Sequence, residues 1–274
     1  MNFKKIEKFF DFYIKKFTEY PLQRLDDQIS KIQDDYVIPP IVYQTWENNL
    51  FGKTHYKQIL KFRETNHDLT FLLFDKKKRD EYMIERWSDH EILKVYQKAK
   101  LGVMKSDIFR HCILYDQGGY YFDISKGVQV SLRSLHSKST EALISNEPVE
   151  CIIPPHNNLF KKLNHPHNNF LTWGLGFKKN HQLPKMMIEA ISSDYKHYLG
   201  KIFSRPKLAV LSLTATGQFT KIVRDYILNN EFDDNQLIQS GIYFNGKGIF
   251  SMKGCRVRHH LVPSYADLKE ISIL

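Results

Sequence analysis

Lys105-Ser106-Asp107-Ile108-Phe109-Arg110 and, after a short apolar run, Gly118-Gly119-Tyr120-Tyr121-Phe122-Asp123 are the stretch on which the reading of this chain turns. From Ile92 to Tyr115 apolar residues recur at helical spacing, and the paired glycines permit the positive φ that ends a helix. Tyr120 to Ile124 then reads as a buried, aromatic strand. Asp107 and Arg110, three apart, project from nearly one helix face and can address one ligand. The aspartate accepts from hydroxyl groups, and the guanidinium forks onto carboxylate or phosphate oxygens. Alone, such a pair is an ordinary salt-bridged helix face. Its setting adds chemistry, because the strand ends on Asp123, at the carboxyl edge where open α/β sheets bind ligands. A carboxylate there can hold a divalent cation against a diphosphate.

Outward from this centre, elements of both kinds alternate. Pro39-Pro40 precede a short buried strand, Ile41-Val42-Tyr43-Gln44-Thr45-Trp46; a helix over 57–66 leads to a second strand over 69–75. Alternation of this kind predicts an α/β fold, a sheet with helical crossovers on its faces. Further apolar runs at 142–145 and 151–153 precede a His/Asn/Pro-rich stretch, 154–169, of the irregular length usually kept for function. Helices are expected near 182–199 and 215–229, and a strand and turn over 241–246. Toward the N-terminus, Phe3, Ile6, Phe10, Tyr13, Ile14 and Phe17 recur at helical spacing with lysines between them. That is an amphipathic helix, set in an extension over 1–36 before a main domain over 37–274. Packing on the core is its plainer reading; an aromatic face with a basic flank also suits peripheral membrane contact through residues 1–20.

With 274 residues, 42% of them hydrophobic, the chain can bury a full core. Cys112, Cys151 and Cys255 show neither disulfide nor zinc spacing, which makes a reducing cytoplasm the expected setting. No signal-peptide pattern and no membrane-length apolar run occurs. The formal charge of +10 favours a polyanionic or phosphorylated partner. No nucleic-acid motif accompanies it, so no nucleic acid is expected.

The same residues resemble a known family. Ser-Asp-x-x-Arg followed by Gly-Gly-x-Tyr-x-Asp is similar to the signature of the glycosyltransferases related to yeast initiating mannosyltransferases, bacterial capsular sugar transferases and the glucosylating clostridial toxins. Ile38 to Trp46 resembles that family's opening strand, Thr216-Gly217 a mid-chain turn, and His259-His260-Leu261-Val262-Pro263-Ser264-Tyr265 its C-terminal segment. The resemblance covers 38–130 well and the remainder thinly. It implies a GT-A fold, a Rossmann-like nucleotide-sugar-binding mixed sheet flanked by helices, and a retaining hexosyltransferase. By the same resemblance Trp46 walls the nucleoside base, Asp107 and Arg110 hold the donor sugar, and Asp123 binds ribose or metal. Gln44, Thr45, Ser106, Gly119, Tyr121 and Asn169 complete the implied donor site. Mn2+ or Mg2+ would be held by Asp123, Ser125 and one of His259 and His260.

One departure stands out: Asp123-Ile124-Ser125 replaces the family's Asp-x-Asp, and serine is a poorer ligand for a hard cation. Weaker metal binding, a share of the positive charge from Lys126, or lost catalysis would each follow from it. The cluster His156, Asn157, Asn158, His165, His167, Asn168 and Asn169 has no metal-ligand spacing and suits hydrogen bonding to sugar hydroxyls better. Asp233-Asp234-Asn235 reads as an exposed turn. By period two, Tyr121 shares a face with Asp123. The leading expectation is transfer from UDP-hexose, with GDP-mannose second, to a bacterial surface polysaccharide or lipid-linked oligosaccharide at the inner face of the membrane. A non-catalytic binder of anionic polymers and a protein-glycosylating effector are the alternatives.

Overall fold

A computed structural model describes residues 19–32, 35–231, 233, 235–249, 251–256, 264, 265 and 268–274. Its main sheet has seven strands: β1 (Ile41–Thr45), β2 (Thr70–Phe74), β3 (Gly119–Phe122), β4 (Ala142–Glu150), β5 (Asn168–Phe170), β6 (Gly174–Phe177) and β7 (Leu237–Ile242). They lie in the order β7-β4-β6-β3-β1-β2, with β5 paired to β4. β1 runs parallel to both β2 and β3, whereas β6 is antiparallel to β3 and β4, and β7 is parallel to β4. The sheet is therefore mixed. The carboxyl ends of β1, β3, β4 and β7 share one edge, and Asp123 and Trp46 follow two of these strands.

Helices cover both faces. α1 (Lys53–Thr65) turns Ile59 and Phe62 onto one face, against Val42, Phe71, Tyr120 and Phe122. α2 (Lys76–Trp87), α3 (Glu91–Lys98), α4 (Gly102–Gln117), α5 (Gln182–Asp194), α6 (Pro206–Leu213) and α7 (Thr216–Asn229) build the larger core on the other face, around Tyr43, Tyr121, Leu175 and Phe177. Alternation along β3 thus sends Tyr120 to one core and Tyr121 to the other.

The glycines at 118 and 119 meet strict requirements. Gly118 ends α4 at φ 67°, and a Cβ there would lie 2.5 Å from the Lys179 nitrogen. Gly119 has φ 99°, and a Cβ on it would lie 2.6 Å from the Ile41 oxygen, so only glycine lets β3 close onto β1.

Two expectations are corrected. The single helix over 92–115 is two, α3 and α4, because Ala99 leaves the helical region, Leu101 is extended and the Lys100 N–H bonds the Ile273 oxygen instead of continuing a helix. The strand near 241–246 is shifted: β7 begins at Leu237, and Tyr243, Phe244, Asn245 and Gly246 form a left-handed turn with φ of 47°, 54°, 55° and 76°. Such a turn costs about 1–2 kcal/mol for each residue bearing a side chain. It is held by Tyr243 N–H on the Asn146 oxygen and Phe244 N–H on Ser145 Oγ, each at 2.8 Å. In the apolar run 151–153, Ile152 and Ile153 are exposed.

The amphipathic helix expected over 3–17 lies outside the described residues. Farther along the 1–36 extension, Gln23–Arg24 pairs with Leu50–Phe51, and Gln28 bridges to Phe71 along β2. Cys112 and Cys151 are free thiols. Among the described residues no helix is long and apolar enough to cross a membrane.

Candidate active site

Asp107 and Arg110 come from the middle of α4, where all residues from Asp107 to Leu114 are buried. Arg110 Nη2 lies 3.0 Å from Asp107 Oδ1 and 3.0 Å from Asp123 Oδ1, so one guanidinium nitrogen joins two carboxylates. Thr214, at the end of α6, places its hydroxyl 2.9 Å from Asp107 Oδ2, where it donates. Tyr121 donates to Asp123 Oδ1 at 3.2 Å, and its ring lies beneath the guanidinium, 4.8 Å from centroid to carbon. The shared face of Tyr121 and Asp123 is the one that strand alternation predicts.

Burial separates the two carboxylates. Asp107 and Arg110 are 2% and 3% exposed, while the Asp123 side chain is 36% exposed and its Oδ2 has no protein partner among the described residues. Burial pushes the Asp107 carboxyl up to about 7, against the opposing pull of Arg110 and the Thr214 hydroxyl. Burial also opposes charge on Arg110, but Asp107, Tyr121 and Asp123 outweigh it and raise that group further. The result is a permanently cationic group held under a carboxylate that faces outward.

After Asp123 the chain turns: Lys126 N–H bonds the Asp123 oxygen at 2.8 Å, and Asp123 N–H bonds the Trp173 oxygen at 2.8 Å. The turn carries the Lys126 ammonium over the Trp173 ring at 5.5 Å, and Tyr243 from the left-handed turn packs on that ring at 6.0 Å. Glu147, beyond the buried part of β4, lies within electrostatic reach of Lys126 and Asp123; burial holds its carboxyl above the usual range, against the charge of Lys126. Tyr265 belongs to the same surroundings, raised by burial and then by the charges of Asp107 and Asp123.

Other predicted site residues have different settings. Gln44 is fully buried, with neither amide oxygen nor nitrogen partnered among the described residues. Thr45 is committed internally, donating to the Phe74 oxygen at 2.7 Å and accepting from Arg79 at 3.1 Å. Trp46 is half-buried just past β1. Ser106 bonds back to the Gly102 oxygen at 3.0 Å within α4. Gly119 opens β3 four residues before Asp123, roughly 13 Å away at ~3.3 Å per residue, and is not brought to the carboxylate edge. Asn169 lies on β5 beside Asn146, whose amide nitrogen is 3.5 Å from its carbonyl.

The donor set fits a metal only in part. Asp123 offers one open carboxylate oxygen; Ser125 is 6% exposed, and its carbonyl accepts from Met252 N–H. Among the described residues no cluster of three His, Cys, Asp or Glu could hold an ion, and His259 and His260 lie outside them. Asp233 accepts from the backbone and side chain of Asn235 in an exposed turn. An open groove of about 680 Å³ lined by Lys161, Asn164, Glu231 and Gln239 shares no residue with the Asp107–Arg110–Asp123 cluster.

Sequence reading missed Thr214, Glu147, Trp173 and Tyr243. Thr214 lies two residues before the Thr216-Gly217 turn, but nothing in its spacing marks it as the partner of Asp107. The other three converge through β-pairing and an unusual turn.

Comparison with known proteins places this geometry. Residues 48–143 match the family described as "Glycosyltransferase sugar-binding region containing DXD motif". The chain is 23% identical over 228 residues to an initiation-specific alpha-1,6-mannosyltransferase of Candida albicans, covering 76% of this chain and 56% of that protein. It is 27% identical over 131 residues to inositol phosphoceramide mannosyltransferase 1 of Schizosaccharomyces pombe, covering 47% of this chain and 40% of that protein. The chain thus spans about half the length of these curated relatives. Among solved structures the PaToxG glycosyltransferase superposes with a TM-score of 0.51 at 16% identity, covering 82% of this chain and 78% of that one. The mixed sheet flanked by helices is accordingly a GT-A, Rossmann-like glycosyltransferase fold, and residues 48–143, which match that family's description, include the Asp107–Arg110–Asp123 cluster.

Proposed function

We propose that this chain, bearing a glycosyltransferase sugar-binding region, transfers a hexose from a nucleotide-sugar donor with retention at the anomeric carbon. UDP-hexose is the favoured donor and GDP-mannose the second. A bacterial surface polysaccharide or lipid-linked oligosaccharide is the proposed acceptor, met in the cytoplasm at the inner face of the membrane. The observation that carries this reading is the Asp107–Arg110–Asp123 chain, buried at one end and open at the carboxyl edge of the sheet.

Each group has a task. Asp107, fixed by Arg110 and Thr214, accepts from a donor-sugar hydroxyl. Arg110 keeps positive charge beneath the site as negative charge builds on the departing diphosphate. Asp123 presents Oδ2 to the ribose or to a cation, and Lys126 adds charge at the rim. The buried Gln44 amide can read a polar base edge, with Trp46 as a wall. Mn2+ or Mg2+ bound at Asp123 and the diphosphate would supply Lewis-acid neutralisation of the leaving group. Support for mannose comes from the two curated relatives, both named as mannosyltransferases.

A second reading, a non-catalytic binder of anionic polymers, is favoured by one observation: the buried Ser125 stands where a second carboxylate is expected. One experiment separates the two. Purified chain is incubated with UDP-glucose, UDP-galactose, their N-acetyl counterparts and GDP-mannose, with manganese or with chelator, and nucleoside diphosphate release is followed beside Asp123→Ala. Metal-dependent release from one donor, lost in the variant, supports the transferase. Binding without release under every metal condition supports the second reading.

A further inference from the structure

At the end of β4 and beyond it the chain displays apolar side chains where none is needed for the core. Val149, Ile152, Ile153 and Phe160 are 56%, 97%, 71% and 44% exposed. Isolated exposed hydrophobics are ordinary, but four within residues 149–160 are not.

This segment is also anchored. Arg224 on α7, only 7% exposed, donates to the Ile153 and Pro166 oxygens, each at 2.7 Å. The Cys151 N–H bonds the His167 oxygen at 2.7 Å, and the His167 ring lies 5.2 Å from that of Phe160. Residues 149–153 and 160 are therefore tied into one unit, with a buried arginine holding the backbone while the apolar side chains point outward. Lys161 and Lys162 adjoin it, both exposed.

Its place in the fold matters. β4 runs parallel to β1 and β3 through the antiparallel β6, so the chain leaving β4 emerges at the same edge as Asp123. We infer that residues 149–160 form a membrane-docking tip, with Ile152 and Ile153 entering the interfacial layer of an anionic lipid bilayer and turning the Asp123 edge toward it.

Charge selects this occupant: the chain carries +10, the tip is flanked by two lysines, and Lys126 and Lys207 both lie within electrostatic reach of Glu147 on the same edge. Glu150 within the tip and Glu147 just before it soften the attraction, leaving a mixed apolar and electrostatic contact. The surface is separate from residues 1–20. Docking rests on the proposed transferase only for what the membrane brings, namely an acceptor held at the lipid surface.

The test uses the full chain with phosphatidylcholine vesicles, with and without phosphatidylglycerol, in a flotation assay. Wild type should float with the anionic vesicles, and Ile152→Asp/Ile153→Asp should partition at least ten-fold less. Because both side chains are exposed, the double variant should keep its thermal unfolding temperature and its donor hydrolysis in solution. A second variant, Ile152→Trp, reports on the loop itself: brominated lipids should quench its added fluorescence. Failure of wild type to bind, binding retained by the double variant, or binding without quenching at position 152 would overturn the proposal. So would self-association of wild type, abolished by the double variant, in place of vesicle binding. Donor hydrolysis is read separately, so an inactive protein that docks counts against the transferase and not against the tip.

Discussion

Two arginines stand buried at the carboxyl edge of the sheet, and they are built differently. Arg79 of α2, wholly buried, is closed: Nε reaches Tyr96, Nη1 reaches Thr45 and Nη2 reaches Glu47, each at 3.1 Å. Arg110 of α4 directs Nη2 to both Asp107 and Asp123 and leaves Nε without a partner among the described residues. A buried charge with every nitrogen partnered is cement, joining β1, α2 and α3. One whose partners lead outward to an open carboxylate oxygen has capacity left for a ligand. Burial of charge alone does not mark a site; incomplete satisfaction at a sheet edge does.

Substitutions should separate the two. Arg110→Ala is expected to lower donor turnover about a thousand-fold, roughly 4 kcal/mol of lost transition-state stabilisation. Arg110→Lys should rescue little, since an ammonium lacks the planar fork. Donor hydrolysis under saturating substrate checks both. Arg79→Ala should act on stability instead, by about 3–5 kcal/mol, because Glu47 loses its buried partner. Chemical denaturation would show it, with turnover per folded molecule within about threefold of wild type.

Asp123→Asn probes the open end. Turnover should fall about a hundred-fold, while stability changes by less than ~1 kcal/mol, because the side chain is one-third exposed. Asp107→Asn probes the closed end through pH. With its carboxyl raised to about 7, the folded protein holds a proton that the unfolded chain releases near the ordinary aspartate value of ~3.9. This group's contribution to stability is therefore complete below about pH 4 and lost as pH rises toward 7. The asparagine variant should flatten that slope in pH-dependent melting, and should also remove any rise of turnover with pH near 7. The smallest effect is expected from Thr214→Val: about 1 kcal/mol of stability for one buried hydrogen bond and a few-fold loss of turnover.

The closed and open regions also differ in how far the sequence disclosed them. β1, β2, β3 and the helix stop at Gly118-Gly119 were legible because apolar periodicity and paired glycines act locally. The Asp107–Arg110 face was legible for the same reason, since helical spacing fixes which residues are neighbours. Thr214, over a hundred residues away, was not: its approach to Asp107 depends on how α6 lies against α4. The Tyr243 turn was hidden too, because three consecutive non-glycine residues at positive φ contradict local preference and are held by Ser145, Asn146 and the packing of Phe244. The break between α3 and α4 depends on the C-terminal segment, which supplies the Ile273 oxygen to Lys100. Arg79 gave no hint of burial, standing in a run of lysines that reads as a solvated face.

Equilibrium binding of the donor panel to wild type, Arg79→Ala and Arg110→Ala, under conditions where all three are folded, tests the central claim most directly. The account predicts that one nucleotide sugar binds wild type and Arg79→Ala with affinities within about threefold of each other and binds Arg110→Ala at least a hundred-fold more weakly, ~2.7 kcal/mol or more. Equal binding to wild type and Arg110→Ala would contradict it and return the Asp107–Arg110–Asp123 chain to the role that Arg79 plays, a buried joint in the fold.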